Sequence, residues 1–380
     1  MLQNLYARRY LPVLGLATTL VACGDTSGSD PAAAYRDAPA LTLEEVYRFC
    51  ADESIAACQL GDMSFANAAT DGAALIWAVG GPIARFDTTG APPVEYGRPG
   101  SGPGEYRRAV GVHQEPDGRV VVTDLSPPRR IVFAADGTPL ATRVDVVEFG
   151  ARWLHAEARG FAMLVDPPAE VGDSVQSEFR LLRDTLPPLV VATVPGVREA
   201  SVQGLSPIPG FFADRLRWAV ESDSTVLVAT GPTLLVIRRS RGGAPDTVVN
   251  VPSVGNRAVT PADVSARLDE LRESRGPIPA QMREPMEQAD RTAAENAASL
   301  FQFAAELRML GDGAFILKEL ETTADSARWT IFTNEGEPIG QLRLPVEATV
   351  AGGTRERLLL MMPDERDVPV VAWYRVAAAG

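Results

Sequence analysis

The residues best suited to nucleophilic, redox or metal chemistry are scarce in this sequence. It has 3 cysteines, Cys23, Cys50 and Cys58, and 2 histidines, His113 and His155. Two imidazoles cannot build a histidine-rich transition-metal site, two cysteines without nearby histidines make a poor zinc site, and a hard cation such as calcium would need carboxylates. No G-x-S-x-G, H-E-x-x-H, EF-hand or dinucleotide-binding motif is present. We therefore predict no catalytic residue, no bound metal and no cofactor.

The N-terminus has the pattern of an export signal. Arg8 and Arg9 precede an apolar stretch, residues 11–22, of about 12 residues, which is too short to cross a bilayer as a helix. The stretch ends in Leu-Val-Ala-Cys-Gly, residues 20–24, which resembles the lipobox of bacterial lipoproteins. An ordinary signal peptide followed by an incidental cysteine, or a buried N-terminal helix, is the alternative.

The lipobox resemblance implies that residues 1–22 are a cleaved signal peptide and that Cys23 carries a lipid anchor. The protein would then be exported and held by lipid in the cell envelope, and the absence of Asp at position 24 favours the outer membrane or the periplasmic face. Residues 24–40 are rich in Gly, Ser, Asp, Pro and Ala and have no periodic apolar positions. We predict that residues 23–41 are a flexible tether.

Export also bears on the other two cysteines. In an oxidising compartment, an isolated pair eight residues apart is most simply a disulfide, so we predict a Cys50–Cys58 bond. A free reactive thiol is the alternative, with Arg48 as the only basic neighbour that could lower its pKa.

The overall charge argues against one class of partner. Acidic residues outnumber basic ones by 49 to 36, which gives a formal net charge of −13. Binding to nucleic acid needs clustered positive charge that displaces counterions from phosphates. We therefore predict no nucleic-acid partner.

An apolar, strand-like run recurs six times along the chain, and a second run follows each after a short polar gap. The first runs lie at 73–79, 119–124, 161–166, 225–230, 314–319 and 357–363. The first three start 46 and 42 residues apart, and the last two are 44 residues apart when counted from Ala314 to Leu358. These intervals are close to the roughly 40–45 residues of one propeller blade. The runs are rich in β-branched and aromatic residues and bounded by turn residues, as in β-hairpins.

The first five units continue into a third extended run, whereas the sixth stops at the end of the chain. We expect a strand from residues 42–62 to complete the last unit. Small antiparallel sheets cannot bury both faces alone, and stacking them in a ring covers those faces. The sequence thus predicts an all-β, six-bladed β-propeller over residues 42–380, closed by an N-terminal strand. Because the strands are degenerate, five or seven blades are alternatives.

A small helical insertion, residues 260–299, is predicted between blades four and five. Thr260-Pro261-Ala262-Asp263 is typical of a helix N-terminus, with Thr as cap and Pro at the first position. Gly276-Pro277 should end this helix, and we expect a second one at about 286–299.

Between the first two units, residues 97–106 read GRPGSGPGEY. This segment resembles the G-x-G-P-G-E-aromatic loop of bacterial six-bladed propeller proteins related to the NHL-repeat group. The matching residues are Gly100, Gly102, Pro103, Gly104, Glu105 and Tyr106 in the loop, and Asp124, Arg130, Ile131, Phe133, Asp136 and Gly137 in the blade that follows. The resemblance implies a fold and no activity. We interpret the loop as structural, with Glu105 capping a tight crossing. A phosphate-binding loop would need a helix after it, and a strand follows here.

In such a propeller, the two histidines have a particular place. His113 and His155 would lie on the innermost strands of successive units, where they could line the channel and meet. Two packed or solvated histidines account for the sequence equally well. Asp124 and Asp166 end central strands, and we expect them to accept hydrogen bonds from turn amides.

Two classes of function are compatible with these features. The first, which we favour, is an envelope-anchored module that binds a protein, a glycan or a small ligand. The alternative is a propeller enzyme resembling the calcium-dependent lactonases or NHL-type lyases, which would need several acids and Asn side chains at one channel end. A structural envelope protein without a specific ligand is a third hypothesis.

Overall fold

The computed structural model describes most of the chain after residue 29. The described residues are 30–50, 55–61, 64–144, 153–156, 162–165, 169–171, 174–182, 189–195, 199–200, 208–213, 217–222, 224–320 and 325–379, with only the backbone for most of those between 153 and 209. The predicted signal peptide, the lipid site Cys23 and Asp166 lie outside them, as does the side chain of His155.

Strands dominate the described part of the chain. Its N-terminal elements are α1 (Pro31–Arg36), β1 (Leu41–Arg48), a single 3₁₀ turn (Ala56–Cys58), β2 (Ser64–Ala68), β3 (Ala74–Ala78), β4 (Ile83–Phe86), β5 (Val94–Glu95), β6 (Arg98–Pro99), β7 (Glu105–Tyr106), β8 (Ala109–Gln114), β9 (Val120–Leu125), β10 (Pro128–Phe133) and β11 (Pro139–Val144).

The middle of the chain contains β12 (Trp153–Ala156), β13 (Ala162–Val165), β14 (Ala169–Val171), β15 (Ser174–Leu182), β16 (Leu189–Pro195), β17 (Glu199–Ala200), β18 (Ile208–Pro209), β19 (Arg217–Ser222), β20 (Thr225–Ala229), β21 (Thr233–Ser240) and β22 (Asp246–Gly255). The C-terminal part contains α2 (Pro261–Ser274), α3 (Ala280–Glu295), β23 (Ala304–Met309), β24 (Phe315–Glu319), β25 (Ser326–Phe332), β26 (Pro338–Pro345), β27 (Thr349–Thr354), β28 (Arg357–Pro363) and β29 (Pro369–Ala378).

Antiparallel pairing groups these strands into propeller blades. Within the described residues there are five four-stranded sheets, namely β2–β5, β8–β11, β19–β22, β23–β26, and β27–β29 completed by β1. In the last sheet, β1 pairs with β29 from Leu41 opposite Ala378 to Arg48 opposite Ala372. The predicted closure of the final unit by an N-terminal strand is confirmed.

The predicted count of six blades is wrong, because the four-stranded blade occurs five times in the described chain. The third unit instead forms a five-stranded sheet in the order β12-β13-β15-β14, with β16 also paired to β15. The cause is the length of β15, whose nine residues pair with β13 at one end and with β14 at the other. The apolar pattern had indicated only residues 178–183 in this strand and so missed the extra hairpin.

Neighbouring blades bury their faces against each other. One apolar cluster joins the β19–β22 and β23–β26 blades, and others join successive blades from β23–β26 through the β1-containing sheet and β2–β5 to β8–β11. Each fully buried Leu, Ile, Val or Phe contributes about 1.5–3 kcal/mol. Between the last and first blades, Trp373 Nε1 also donates a hydrogen bond to the carbonyl of Gly72 at 2.7 Å.

The predicted flexible tether is wrong in its second half, where α1 packs on the propeller. Asp30 caps this helix by accepting a hydrogen bond from the Ala32 amide at 3.0 Å, and Pro31 occupies its first turn. Tyr35 is only 2% exposed, and its carbonyl accepts a hydrogen bond from Gln341 Nε2 at 2.8 Å. The chain is therefore held from Asp30 onward, because one large aromatic side chain is buried there.

Helices α2 and α3 lie between β22 and β23, in the segment where a helical insertion was predicted. Thr260 and Asp263 form a capping box, in which each side chain accepts a hydrogen bond from the other residue's amide. The second helix begins at Ala280, earlier than expected, and continues through Pro285. Arg275 joins the two helices through a bidentate pair with Asp290 at 2.6 and 2.7 Å. None of the helices in the described residues combines the length and the hydrophobicity that a membrane-spanning helix requires.

The predicted disulfide between Cys50 and Cys58 is confirmed, with the two Cα atoms 5.1 Å apart. Cys58 is buried in the cluster that joins the last blade to the β2–β5 blade. The bond therefore fixes the chain where it passes from the closing strand β1 to the first blade.

We predict that replacing both cysteines by Ala lowers the free energy of unfolding by about 2–3 kcal/mol, the entropy expected for a closed loop of about nine residues. Urea denaturation under non-reducing conditions measures the change. Wild-type protein unfolded with a reductant is the control and should lose a similar amount. An unchanged midpoint in the double variant would show that the bond adds nothing to stability.

Candidate functional site

The glycine-rich loop, residues 97–106, is built around the carboxylate of Glu105. This carboxylate accepts a hydrogen bond from the Gly102 amide at 2.7 Å and pairs with Arg98 Nε at 2.8 Å. The Gly102 amide first, and Arg98 second, hold the pKa of Glu105 below its usual value. A Cβ atom on Gly100 would collide with the same carboxylate. The loop thus holds its own acidic side chain, which agrees with a structural role.

Asp124 organises the blade that follows the loop. It is fully buried and accepts hydrogen bonds from the amides of Arg108, at 2.7 Å, Arg107, at 3.1 Å, and Ser126, at 3.2 Å. Its carboxylate also pairs with the buried Arg129, Nε to Oδ2 at 3.0 Å. As expected from its position, Asp124 accepts a hydrogen bond from a turn amide, that of Ser126, and it also accepts two from the segment that precedes β8; the ion pair ties β9 to β10.

The strands that carry the two histidines are neighbours. His113 is buried on β8, the first strand of its blade, and β8 contacts β12, which carries His155. Because the side chain of His155 lies outside the described residues, a meeting of the two imidazoles stays a prediction. In the part of the chain that is described, no group of three or more His, Cys, Asp or Glu side chains is arranged to hold a metal ion.

A cleft of about 470 Å³ lies between the β19–β22 and β23–β26 blades, at the base of the α2–α3 insertion. Its position follows from the chain path, since β22 ends there and β23 begins there after the helices. The cleft is lined by Pro232, Val254, Gly255, Asn256, Arg257, Phe301, Gln302, Phe303, Glu319, Leu320, Arg328 and Arg343.

Three arginines are the basic side chains of this cleft, and its polar lining also includes Glu319, Asn256 and Gln302. Arg328 on β25 and Arg343 on β26 stand directly opposite each other in the strand register. Arg328 Nη1 is 3.4 Å from the Glu319 carboxylate. Like charges directly opposite each other on adjacent strands are destabilising. Each guanidinium group has five N–H donors, so Arg328 and Arg343 can both donate to a bound anionic group in addition to the partners they have in the protein.

Aromatic side chains form the apolar part of the cleft. Phe301 and Phe303 are buried, and the guanidinium carbon of Arg257 lies 3.5 Å from the centre of the Phe301 ring. Stacked in this way, a guanidinium group still presents its N–H edges to a partner. The arrangement can hold a molecule that combines an anionic group with an apolar body.

Helix α1 reaches the same cleft through Tyr35. The Tyr35 hydroxyl donates a hydrogen bond to Glu319, and the ring stacks on Phe332 and packs edge-on against Phe303, with ring centres 6.3 and 6.4 Å apart. Burial, and then the negative charge of Glu319, raise the pKa of Tyr35. The hydroxyl therefore remains protonated and continues to donate at neutral pH.

Sequence reasoning did not identify this cleft. Its lining residues come from separate segments between positions 232 and 343, and none belongs to a recognisable motif. The one available signal was an Arg in each of the two strand-like runs at 328–333 and 338–344. Their juxtaposition depends on the strand register, which the runs alone do not specify.

Three solved structures show what this chain is similar to. A "Putative exported protein" from Bacteroides fragilis is 11% identical, with 90% of this chain and 96% of that chain covered and a TM-score of 0.50. A member of the duf4221 family from Bacteroides vulgatus is 11% identical, with 90% and 99% covered and a TM-score of 0.47. The PQQ-bound aldose sugar dehydrogenase from Streptomyces coelicolor is 12% identical, with 90% and 100% covered and a TM-score of 0.41.

At these identities, the likeness concerns the propeller fold alone. No protein-family model matches the chain. No curated protein matches it either. The predicted relation to six-bladed NHL-like proteins is therefore supported only at the level of an all-β propeller, without its blade count or loop motif.

We predict that Asp124→Asn lowers the free energy of unfolding by about 3–5 kcal/mol, because it leaves the buried Arg129 without its counter-charge. Asp117→Asn is the matched control. Asp117 is 56% exposed and pairs with Arg119 at the surface, so this change should cost less than about 1 kcal/mol. Urea denaturation of both variants measures the free energies of unfolding. Equal decreases in the two variants would contradict the structural role of Asp124.

Proposed function

We propose that this protein is an exported lipoprotein whose propeller is a ligand-binding module, with the ligand held in the cleft between the β19–β22 and β23–β26 blades. The observation that carries this proposal is a cleft of about 470 Å³ that combines three Arg side chains with a floor of buried Phe. Binding sites for small molecules usually have volumes of roughly 300–1,000 Å³, with apolar walls and a few placed polar groups.

The lining residues support one class of ligand. Arg328 and Arg343 would bind its anionic group through charge-assisted hydrogen bonds. Phe301, Phe303 and the partly exposed Leu320 would pack against its apolar part. We expect a small carboxylate with an alkyl or aryl body, since a protein or glycan partner would need a wider surface than this cleft.

The lipobox-like segment at residues 20–24 supports anchoring of the module. Each buried acyl methylene contributes about 0.8 kcal/mol, so two or three chains on Cys23 would hold the protein firmly on a membrane. The cleft would then bind its ligand at the cell envelope.

The predicted anchor is tested by changing Cys23 alone. We expect the wild-type protein, expressed in a bacterium, to fractionate with membranes and to incorporate labelled palmitate, because the thiol of Cys23 receives the lipid. Cys23→Ala should remove both properties, whereas Cys50→Ala with Cys58→Ala should retain both. Palmitate labelling of the Cys23→Ala protein would contradict the assignment.

The cleft is tested with 1-anilinonaphthalene-8-sulfonate, a fluorescent anion with an aromatic body. We expect saturable binding that weakens by tenfold or more in the Arg328→Gln, Arg343→Gln double variant, because a hydrogen bond to a charged group contributes about 1.5–3 kcal/mol. Decanoate should displace the probe, and the uncharged decanol should not. Fluorescence titration measures all three.

The matched control for this titration is Arg366→Gln with Arg375→Gln, which removes two exposed arginines that pair with Asp364 and Glu44. It should bind the probe as the wild type does. Equal probe affinity in the wild type and the cleft double variant would overturn the proposed site, and so would an equal loss in the control.

A further inference from the structure

We infer that helix α1 fixes the orientation of the anchored propeller, so that the cleft and the α2–α3 helices face the membrane. The inference rests on the proposed lipidation of Cys23. It goes beyond that proposal because an anchor on a flexible tether would leave the orientation free.

Helix α1 is docked firmly on the propeller. Tyr35 is buried between Phe303 and Phe332, and its hydroxyl donates a hydrogen bond to Glu319. Two further hydrogen bonds connect the segment to β26, from Gln341 Nε2 to the Tyr35 carbonyl at 2.8 Å and from the Gln341 amide to the Pro39 carbonyl at 2.9 Å. The chain is therefore attached to the propeller well before β1 begins.

The segment between the lipid site and α1 is short. Only residues 24–29 separate Cys23 from Asp30, where α1 is capped. Fully extended, the path from Cys23 to Asp30 spans at most about 25 Å. A domain of about 340 residues has a radius of gyration of roughly 20 Å, and hence a diameter of roughly 50 Å. The link is too short to reach around the propeller, so the side that carries α1 must lie nearest to the bilayer.

Helix α1 lies beside the cleft. The helix contacts β22 and is hydrogen-bonded to β26, the outermost strands of the two blades that form the cleft. Tyr35 shares Glu319 and Phe303 with the cleft itself. Asp263 in the first turn of α2 lies 3.7 Å from Arg257 at the cleft. The cleft and the α2–α3 insertion thus lie on the anchored side, and the partner that faces them is the lipid surface.

Förster resonance energy transfer from a donor at each of two positions to acceptor lipids in the membrane tests the orientation. One reporter is Ser265→Cys, exposed on α2, and the other is Leu140→Cys, 55% exposed on β11. The β8–β11 blade that contains Leu140 contacts the β2–β5 blade, which contacts the β1-containing sheet, so two blades separate it from β23–β26 on that side. Each lipidated, mature protein is labelled with a donor and bound to phosphatidylethanolamine–phosphatidylglycerol vesicles that carry an acceptor lipid.

We expect at least twofold more efficient transfer from position 265 than from position 140. Tyr35→Ala with Gln341→Ala should release α1 and bring the two efficiencies close together. Phe65→Ala is the matched control, since it removes a partly exposed aromatic ring that stacks on Trp77, away from α1, and it should preserve the difference. Circular dichroism establishes that each variant is folded before its transfer is compared.

The outcomes separate this inference from the proposed function. Protein that does not bind the vesicles shows that the lipid anchor is wrong. Protein that binds but transfers equally from both positions overturns the orientation and leaves the anchor intact. A difference between the two positions that survives the release of α1 shows that another contact orients the propeller, which also overturns the inference.

Discussion

Face-to-face burial between neighbouring blades is the constraint on which the rest of this structure depends. A four-stranded sheet has two faces, and the apolar clusters lie between successive blades instead of within one. The last blade must therefore cover the first, and β1 completes that blade from the other end of the chain. The Trp373–Gly72 hydrogen bond and the nearby Cys50–Cys58 disulfide hold this closure.

Closure also determines where the chain enters the propeller. Because β1 is an outer strand paired with β29, the segment before it must approach along the outside of the blades. It does so as α1, which contacts β22 and is hydrogen-bonded to β26. The same pair of blades accommodates the α2–α3 insertion between β22 and β23. The N-terminal segment and the longest described helices therefore lie at the same junction between two blades, and the cleft is at that junction.

The sequence was informative wherever a local signal decides the structure. Apolar runs bounded by turns located most strands, the Thr260-Pro261 start located α2, and the spacing of Cys50 and Cys58 indicated their bond. It failed where pairing is decided by distant residues. The β14 hairpin depends on how far β15 extends, and the Arg328–Arg343 pair depends on a register that shifts at a bulge after Ile331. The segment that forms α1 was predicted to be a flexible tether, because the burial of Tyr35 against Phe303 and Phe332 could not be read from a polar segment.

Glu319 connects the cleft to the attachment of the chain. One carboxylate accepts the hydrogen bond from Tyr35 on α1 and lies 3.4 Å from Arg328 in the cleft. Negative charge at Glu319 helps to raise the pKa of Tyr35, so any group that draws Arg328 away from Glu319 also changes the environment of that hydroxyl. Hydrogen bonds to charged groups are stronger than those between neutral groups. A change in the partners of Glu319 therefore alters the interaction energy more than a change in an apolar contact would. The cleft and the docked helix therefore share one acidic side chain, Glu319, in addition to the aromatic ring of Phe303.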